Sequence, residues 1–253
     1  MSNRKPVVVV TGASRGIGLA VVKILLETFN ANVAAISRTR TPELEALASD
    51  SLLHIQCDVS DERSLVRAIS QAEQHFSHID GLVLNAAVLE PLCRVGDSTA
   101  LSAWKTHFDV NFFSLITTIR SALPALRQSD IGGRIVFVSS GSAVKGTAGW
   151  GPYNASKAAM NSLTLSEEES EVISVALRPG VVDTDMHTLL RATGGESMSA
   201  QDYQKFLNYQ ARGELLSPYL PGRVIAALSL QAPASLSGQF VTWNDELCTP
   251  FRS

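Results

Sequence analysis

The chain has 253 residues, 45% of them hydrophobic and 18% charged, which is sufficient for one large domain with its own core. Its 21 Lys and Arg against 24 Asp and Glu give a net charge of −3, which provides no basic surface for nucleic acid or an anionic membrane. Its three cysteines lack CxxC spacing and predict neither a disulfide framework nor a zinc site, and no apolar run is long enough for a membrane span, so we expect a cytoplasmic protein.

Short β-branched runs alternate with longer amphipathic stretches, a pattern typical of βαβ units. It predicts an α/β fold: a Rossmann-like, doubly wound, seven-stranded parallel sheet with helices on both faces, in a single domain over residues 1–253. In chain order, the predicted elements are strand Val7–Thr11, helix Gly16–Thr28, strand Asn32–Ile36, helix Pro42–Ala48, strand His54–Gln56, helix Asp61–Phe76, strand Gly81–Leu84, helix Leu101–Arg127, strand Arg134–Ser139, helix Pro152–Glu168, strand Ile173–Leu177, helix Pro221–Leu230 and strand Gln239–Thr242.

The region from about 183 to 221 shows the weakest pattern in the chain. It contains the glycines at 194, 195 and 213, together with a helix-like piece at Gln201–Gln210. A segment of this length between the last two strands is more typical of a substrate lid than of a plain connector. We therefore predict a substrate lid at about 183–221.

A glycine-rich segment, TGASRGIG at positions 11–18, joins the first predicted strand to the first helix. Glycines let the backbone approach a pyrophosphate, and the N-terminus of the following helix presents free N–H groups and a positive dipole. A structural turn is the alternative. The GxxxGxG spacing resembles that of the short-chain dehydrogenase/reductase family, and the resemblance extends along nearly the whole chain. It implies cofactor contacts by Gly12, Ser14, Arg15, Gly16, Ile17 and Gly18.

The end of the second strand sets the choice between nicotinamide cofactors, because an acid there binds the ribose 2′-hydroxyl and an arginine accommodates a 2′-phosphate. Ser37 and Arg38 occupy this end, and no acid is present there. Arg38 together with Arg15 could hold a phosphate, which resembles the NADP-preferring members of the family. The alternative is that both arginines are solvated surface charges. We expect NADP(H) as the cofactor.

Three further segments resemble cofactor stations of the family. Asp58 and Val59 follow the third strand, where the family contacts the adenine ring. Asn85 stands in the sequence LNAA, where the family has NNAG, and its Ala87 replaces a glycine, which costs little unless the native φ is positive. The loop after the sixth strand resembles the segment that holds the nicotinamide carboxamide, and it implies contacts by Pro179, Val182 and Thr184.

Tyr153 and Lys157 stand four residues apart at the start of a predicted helix, so both side chains lie on one face. A nearby ammonium would lower the pKa of a phenol, and Tyr153 could then donate a proton to a developing alkoxide. Ser140, thirteen residues before Tyr153, follows the fifth strand and could hydrogen-bond a substrate carbonyl. Its neighbour Ser139 is better interpreted as a strand-end cap.

Asn111 lies inside a long predicted helix, where Asn competes with the backbone. In the family the equivalent residue anchors a water in a proton relay; the alternative is a hydrogen-bonded core amide. The resemblance implies hydride transfer from NADPH to a carbonyl, with Ser140, Tyr153, Lys157 and Asn111 as the catalytic residues. It also implies cofactor contacts by Tyr153 and by Lys157, which in the family holds the nicotinamide ribose hydroxyls. The histidines lack metal-ligand spacing, so no metal is expected.

Three segments, at 149–151, 181–186 and 238–246, resemble a subgroup of microbial and fungal benzil reductases related to sepiapterin reductases. The resemblance implies a small-molecule carbonyl substrate, an α-diketone or another aromatic ketone, with no nucleic-acid or membrane partner. An apolar pocket could accommodate it, although such a cluster could equally belong to the core. The candidate lining residues are Trp150, Met186, Leu189, Leu190 and Tyr203.

The chain departs from the family between Lys157 and Pro179, a separation of 22 that is about four residues short. We therefore expect the helix carrying Tyr153 to end near Glu167–Glu169. In the family this helix and the one from Leu101 usually form the subunit interface, which implies a homodimer or homotetramer. An NADP-sensing regulator without turnover and a non-redox lyase or dehalogenase are the alternatives; the intact catalytic set and the glycine loop favour the reductase.

Overall fold

The computed structural model describes residues 4–164 and 171–252. Within these ranges the strands form one parallel sheet, in the order β3-β2-β1-β4-β5-β6-β7. This confirms the predicted Rossmann-like, doubly wound fold. The strands are β1 Val7–Thr11, β2 Asn32–Ser37, β3 Leu52–Gln56, β4 Gly81–Leu84, β5 Gly133–Val138, β6 Val172–Arg178 and β7 Gln239–Thr242.

Helices cover both faces of the sheet. None of them, in the part of the chain described, is long and apolar enough to cross a bilayer. The α-helices are α1 Gly16–Glu27, α2 Pro42–Glu45, α3 Glu62–Phe76, α4 Leu101–Phe108, α5 Ser114–Arg127, α6 Gly151–Thr164, α7 Asp185–Thr193, α8 Ala200–Ala211 and α9 Tyr219–Gln231.

The valine run of β1 shows how the two faces are built. Val8 and Val10 pack with residues of α1 and α9 in one core cluster, whereas Val9 packs with residues of α3 and α5 in a second. All three side chains are at most 1% exposed, because a parallel strand covered on both faces buries every residue. The sheet thus separates two apolar layers and leaves the carboxyl ends of its strands free for a site.

Side chains cap the starts of two of the predicted helices. The Thr41 hydroxyl accepts a hydrogen bond from the N–H of Leu44 and begins α2, and the Asp61 carboxylate does the same for Ser64 at the start of α3. The predicted helix Leu101–Arg127 is not one regular α-helix, because a π-helical turn at Asp109–Phe113 separates α4 from α5. The predicted early end of α6 near Glu167–Glu169 lies outside the described residues.

The weakly patterned region folds into helices rather than an irregular loop. The predicted piece Gln201–Gln210 is confirmed as α8, and α7 precedes it without a prediction. A parallel bridge between Val182 and Leu216 joins the two ends of this region. We call α7, α8 and the residues between them the 185–211 segment.

Candidate active site

The glycine loop at the end of β1 has no room for a side chain at Gly12 or Gly18. Gly12 has a φ of +66°, and a Cβ on it would lie 2.8 Å from the Cα of Ala86. A Cβ on Gly18 would lie 2.2 Å from the carbonyl oxygen of Gly12. The side-chain amide of Asn85 donates to the carbonyls of Thr11 and Gly12 at 3.0 and 3.1 Å and fixes the turn. At these glycines the backbone is bare, and residues 11–18 form a cradle of the kind that admits a pyrophosphate.

Helix α1 begins directly behind this cradle. Its N-cap residue, Arg15, is extended, and within the described chain no side chain caps the first turn. The N–H groups of that turn thus remain available to an anion. Gly16 has a φ of +54°, and a Cβ on it would lie 3.1 Å from Cγ2 of Thr184. The predicted nicotinamide loop and the predicted phosphate loop are therefore neighbours.

The end of β2 carries positive charge. Arg38 is exposed, and its carbonyl accepts a hydrogen bond from the amide of Gln56 at 3.0 Å. The Ser37 hydroxyl donates to the carbonyl of Thr39 at 2.8 Å and lies 3.0 Å from Nε2 of His54. Among the described residues the Arg38 guanidinium has no hydrogen-bond partner, and it lies at the end of β2, the strand beside β1 and its glycine loop.

Two features of this corner escaped the sequence analysis. Arg40 lies near His54 and, after burial, is the second cause that lowers the pKa of that imidazole. The signal was present, since Arg40 follows Arg38 by two residues. Arg15, expected to act with Arg38, instead forms an ion pair with Asp185 of α7 at 2.9 Å. Asp185 is 170 residues away in the sequence, so no local pattern indicates this pair.

Asp58, which the family resemblance places at the adenine ring, already accepts hydrogen bonds within its own turn. The Asp58 carboxylate accepts hydrogen bonds from the backbone N–H and the hydroxyl of Ser60 at 3.0 and 2.8 Å. Val59 is 9% exposed. Ala87 does not adopt a positive φ, a conformation that among the described non-glycine residues only Asn30 and Ser77 show. Its methyl group therefore causes no backbone strain.

The loop after β6 is fixed by a glycine and by a bridge. Gly180 has a φ of +83°, and a Cβ on it would lie 2.7 Å from Cδ1 of Leu216. Leu216 donates its N–H to Val181 and accepts from Asp183, both at 2.9 Å, which holds Val182 between them. Pro179, Val182 and Thr184 thus occupy one ordered loop beside the glycine cradle.

Three of the four predicted catalytic residues, Ser140, Tyr153 and Lys157, lie together at the carboxyl end of β5. Tyr153 of α6 is 7% exposed and lies near the side chain of Ser140, the second residue after β5. Lys157 is 2% exposed, and its ammonium donates to the carbonyl of Val138 at 2.7 Å. The Lys157 nitrogen lies 5.7 Å from the centre of the Tyr153 ring. The spacing of the sequence thus correctly brings a phenol, a hydroxyl and an amine together.

Burial determines the protonation of this group. It raises the pKa of Tyr153 to about 12, and the nearby Ser140 hydroxyl offsets only part of that rise. The expectation that Lys157 lowers the pKa of Tyr153 is wrong for this structure, because desolvation dominates. Burial also lowers the pKa of Lys157 to about 7. Tyr153 is therefore a neutral phenol at neutral pH, whereas Lys157 exchanges its proton there.

Asn111 occupies the π-helical turn and is completely buried. Its amide exchanges two hydrogen bonds with the backbone of Val88, both at 2.9 Å, and its nitrogen lies 2.9 Å from Nε2 of His107. His107 also lies 3.0 Å from the hydroxyl of Ser156 and 2.7 Å from the carbonyl of Glu90. The sequence analysis missed His107, which shares a helix face with Asn111 at a spacing of four residues.

Ser139 behaves as a structural residue. It is 2% exposed, and its hydroxyl donates to the side chain of Asn161 at 2.5 Å. Ser140 is less buried than Ser139 and begins the short helical turn at Gly141–Ala143. Ser140 is also near enough to Tyr153 to lower the pKa of the phenol in part.

An aromatic wall lies on the other side of Tyr153. The Trp150 ring stands edge-on to Tyr153 at 5.5 Å and stacks on Phe206 of α8 at 5.3 Å. Trp150 and Tyr153 belong to one apolar cluster. Four of the five predicted pocket residues are part of it, namely Trp150, Met186, Leu190 and Tyr203, whereas Leu189 is not. Among the described residues, no group of three or more His, Cys, Asp or Glu side chains could hold a metal ion.

The sequence matches the short chain dehydrogenase family over residues 6–194. An uncharacterized oxidoreductase of Schizosaccharomyces pombe is 40% identical over 94% of this chain and 96% of that protein. A Saccharomyces cerevisiae protein named benzil reductase ((S)-benzoin forming) is 36% identical over 96% of this chain and 98% of its own.

A solved structure of a short chain dehydrogenase/reductase from Saccharomyces cerevisiae superposes with a TM-score of 0.92. It is 34% identical and covers 98% of this chain and 100% of that one. The family match, the full-length relatives and the superposition agree with the site geometry. The chain is therefore an oxidoreductase of the short-chain dehydrogenase family.

Proposed function

We propose that the protein is an NADPH-dependent carbonyl reductase that reduces a ketone or benzil-like α-diketone to a secondary alcohol, and that it also catalyses the reverse oxidation. The observation that carries the proposal is the buried Tyr153, near Ser140 and flanked by Lys157 and Trp150. A neutral phenol beside an apolar aromatic wall suits an uncharged carbonyl substrate. The relatives named benzil reductase support the substrate class.

The glycine cradle, the uncapped start of α1 and the loop at 179–184 fit a dinucleotide, which when bound would supply the hydride. Ser140 donates a hydrogen bond to the substrate carbonyl oxygen and draws negative charge toward it. Tyr153, whose pKa lies at about 12, then donates its proton to the resulting alkoxide, which is a stronger base. Lys157 and the Asn111 turn return a proton from solvent to Tyr153.

The charge at the end of β2 supports a preference for NADPH. Arg38 and Arg40 both lie there, and the segment Ser37–Arg40 contains no acid to bind a ribose 2′-hydroxyl. Guanidinium groups bind a phosphate dianion by charge-assisted hydrogen bonds. We therefore assign the 2′-phosphate to this corner, with Arg38 as its principal ligand.

The 185–211 segment is our proposed substrate lid. Its Leu190 and Met198 are buried against Trp150 and Tyr153. The Ser197 hydroxyl ties it to the rest of the molecule by donating to the carbonyl of Leu92 at 2.8 Å, and within the segment the Tyr203 hydroxyl donates to the carbonyl of Arg191 at 2.6 Å. A covering of this kind excludes water from the reacting carbonyl.

The test of the proposed function is NADPH oxidation with benzil, phenylpropanedione and a sepiapterin-like ketone. Tyr153→Phe should lose at least about 100-fold in turnover, because it removes the proton donor, and should still bind NADPH. Tyr219→Phe, at an exposed position, is the matched control and should retain activity. Absence of turnover in the natural chain together with tight NADPH binding would favour a sensing role instead.

The predicted homodimer or homotetramer also remains a proposal. Leu101 and Phe113 are 68% and 53% exposed on the run from α4 to α5, and apolar side chains of this size are typical of a protein interface. Light scattering of the eluting protein should give a mass of two or four chains. Phe113→Glu should reduce that mass, and an unchanged mass would exclude this face.

A further inference from the structure

The buried His107 connects three segments of the proposed site through its two ring nitrogens. It belongs to α4 and is 1% exposed. Its Nδ1 lies 2.7 Å from the carbonyl oxygen of Glu90, in the loop after β4. Its Nε2 lies 2.9 Å from the side-chain nitrogen of Asn111 and 3.0 Å from the hydroxyl of Ser156 on α6. The imidazole therefore contacts both the π-helical turn that carries Asn111 and the helix that carries Tyr153.

These partners determine which nitrogen of the ring carries the proton. The Glu90 carbonyl can only accept, so Nδ1 of His107 is the donor. The amide oxygen of Asn111 accepts from the N–H of Val88, and the amide nitrogen donates one of its protons to the Val88 carbonyl. The other proton of that nitrogen is available to Nε2. His107 is therefore a neutral imidazole whose unprotonated Nε2 accepts from Asn111.

The hydrogen bond from Asn111 depends on this one lone pair. The hydroxyl of Ser156 also lies near the Asn111 nitrogen, but at 3.5 Å, and it donates its own proton to the carbonyl of Tyr153 at 3.0 Å. A proton on Nε2 would place two N–H donors 2.9 Å apart. Removal or protonation of Nε2 thus leaves a buried N–H of Asn111 without its acceptor, and a buried amide in that position gains by moving.

The surroundings of His107 favour the neutral ring. Burial lowers the pKa of His107 below its ordinary value of 6.5, the contact with the Glu90 carbonyl opposes this shift, and the charge of Lys157 lowers the pKa further. The Tyr153 ring stands edge-on to the imidazole at 6.2 Å and is uncharged at these pH values. Glu90 is an exposed residue, so solvent screens its carboxylate. The ring is therefore uncharged at neutral pH and becomes charged only in acid.

We propose that His107 is a positioning residue of this enzyme: its unprotonated Nε2 holds the Asn111 turn in the arrangement that returns a proton to Tyr153, and protonation of the ring releases that turn. This inference rests on the proposed reductase function and adds a residue to its proton return. Tyr153 gives its proton to the alkoxide and takes one back from solvent through Lys157 and the Asn111 turn. His107 acts through Asn111, so its loss should lower kcat without weakening the binding of NADPH.

The test measures kcat for benzil reduction between pH 5 and pH 8 in the natural chain, His107→Leu and His107→Gln. His107→Leu removes the acceptor and should lower kcat about tenfold at pH 8, the effect of one lost buried hydrogen bond, with the Kd of NADPH unchanged. His107→Gln supplies an amide oxygen that accepts but does not titrate. It should keep kcat within about threefold of the natural value at pH 8.

The pH profile separates positioning from a merely structural role. As the pH falls below about 6.5, the natural chain should lose more of its kcat than His107→Gln, because only the natural chain has a ring to protonate. Lys157 and Tyr153 are present in both proteins, so the ratio of the two kcat values isolates the imidazole. His75→Leu makes the same chemical change at an exposed histidine of α3 and should leave kcat and its pH profile unchanged.

NMR spectra of the chain with isotope-labelled histidine give a reading that needs no turnover. The His107 signal, assigned by its absence from His107→Gln, should show the tautomer with the proton on Nδ1 at pH 8. The tautomer with the proton on Nε2 would overturn the inference. This measurement and the pH profile of His107→Gln decide the question even where His107→Leu does not fold.

The kinetic outcomes distinguish the inference from the proposed function. Absence of turnover in the natural chain refutes the proposed function, and the inference falls with it. Turnover that is equal in the natural chain and His107→Leu overturns the inference alone. The same holds for a His107→Gln variant that is as slow as His107→Leu at pH 8, and for an acid loss of kcat that is equal in the natural chain and His107→Gln.

Discussion

Lys157→Met should make the protein more stable at neutral pH while abolishing its proposed activity. Burial lowers the pKa of Lys157 from its ordinary value of 10.5 to about 7. Between these two values the unfolded chain binds a proton that the folded chain does not, so stability rises with pH in this window. A methionine of similar length carries no charge and removes this dependence.

The magnitude follows from the two pKa values. They correspond to a destabilisation by Lys157 of about 4 kcal/mol at pH 7 that falls to about 2 kcal/mol at pH 9. The substitution also leaves the Val138 carbonyl without its 2.7 Å partner, which costs about 1–3 kcal/mol at any pH. The net gain of Lys157→Met at pH 7 is therefore about 1–3 kcal/mol.

The assay is urea unfolding of both proteins at pH 7, 8 and 9. The advantage of Lys157→Met should shrink by about 2 kcal/mol over this range, and groups common to both proteins cancel in the difference. Tyr153, with a pKa of about 12, stays protonated throughout in the folded state. Lys145→Met, at an exposed position, should show no such pH dependence. A constant difference between pH 7 and pH 9 would refute a neutral, desolvated Lys157.

Three further changes test separate parts of the site. Arg38→Asp should shift the kcat/KM preference from NADPH toward NADH, and an unchanged ratio would exclude Arg38 as the phosphate ligand. Asp185→Asn should tighten NADPH binding by less than about fivefold, measured by fluorescence titration, because it frees Arg15 from an exposed ion pair of small energy. His107→Leu should lower the free energy of unfolding by about 1–3 kcal/mol, because Asn111 loses a buried partner. Because burial lowers the pKa of His107, this variant should also lose less stability than the natural chain as the pH falls below about 6.5, and equal losses in urea unfolding would contradict that.

The sheet and most of the helices were predictable because their signals are local. The valines of β1 form an uninterrupted apolar run, and in the structure they alternate between two cores, as a strand covered on both faces requires. Thr41 and Asp61 mark helix starts by their own side chains. The spacing of Tyr153 and Lys157 on one helix likewise determines that the two side chains meet.

The remaining features depend on contacts that are distant in the sequence. The π-helical turn places Asn111 against the backbone of Val88, a contact that helical periodicity does not predict. The pairing of Arg15 with Asp185 joins a loop to a helix that was not predicted. The predicted direction of the Tyr153 pKa shift was wrong. The sequence spacing indicates only that Lys157 is near, whereas the burial of the Tyr153 ring depends on the aromatic wall that covers it.

These departures have a common physical consequence. Elsewhere in the described chain buried polar groups are well paired: the Asp80 carboxylate, for example, accepts from Arg4, Ser129 and the N–H of Val7. At the proposed site, burial instead disfavours the charged forms of Lys157 and Tyr153. Desolvation thus favours a neutral phenol and a neutral amine side by side, and a bound carbonyl compound would accept the hydrogen bond of the phenol. Lys157 weakens the fold through its desolvation and in the proposed mechanism returns the proton to Tyr153, so Lys157→Met should stabilise the protein and remove its activity together.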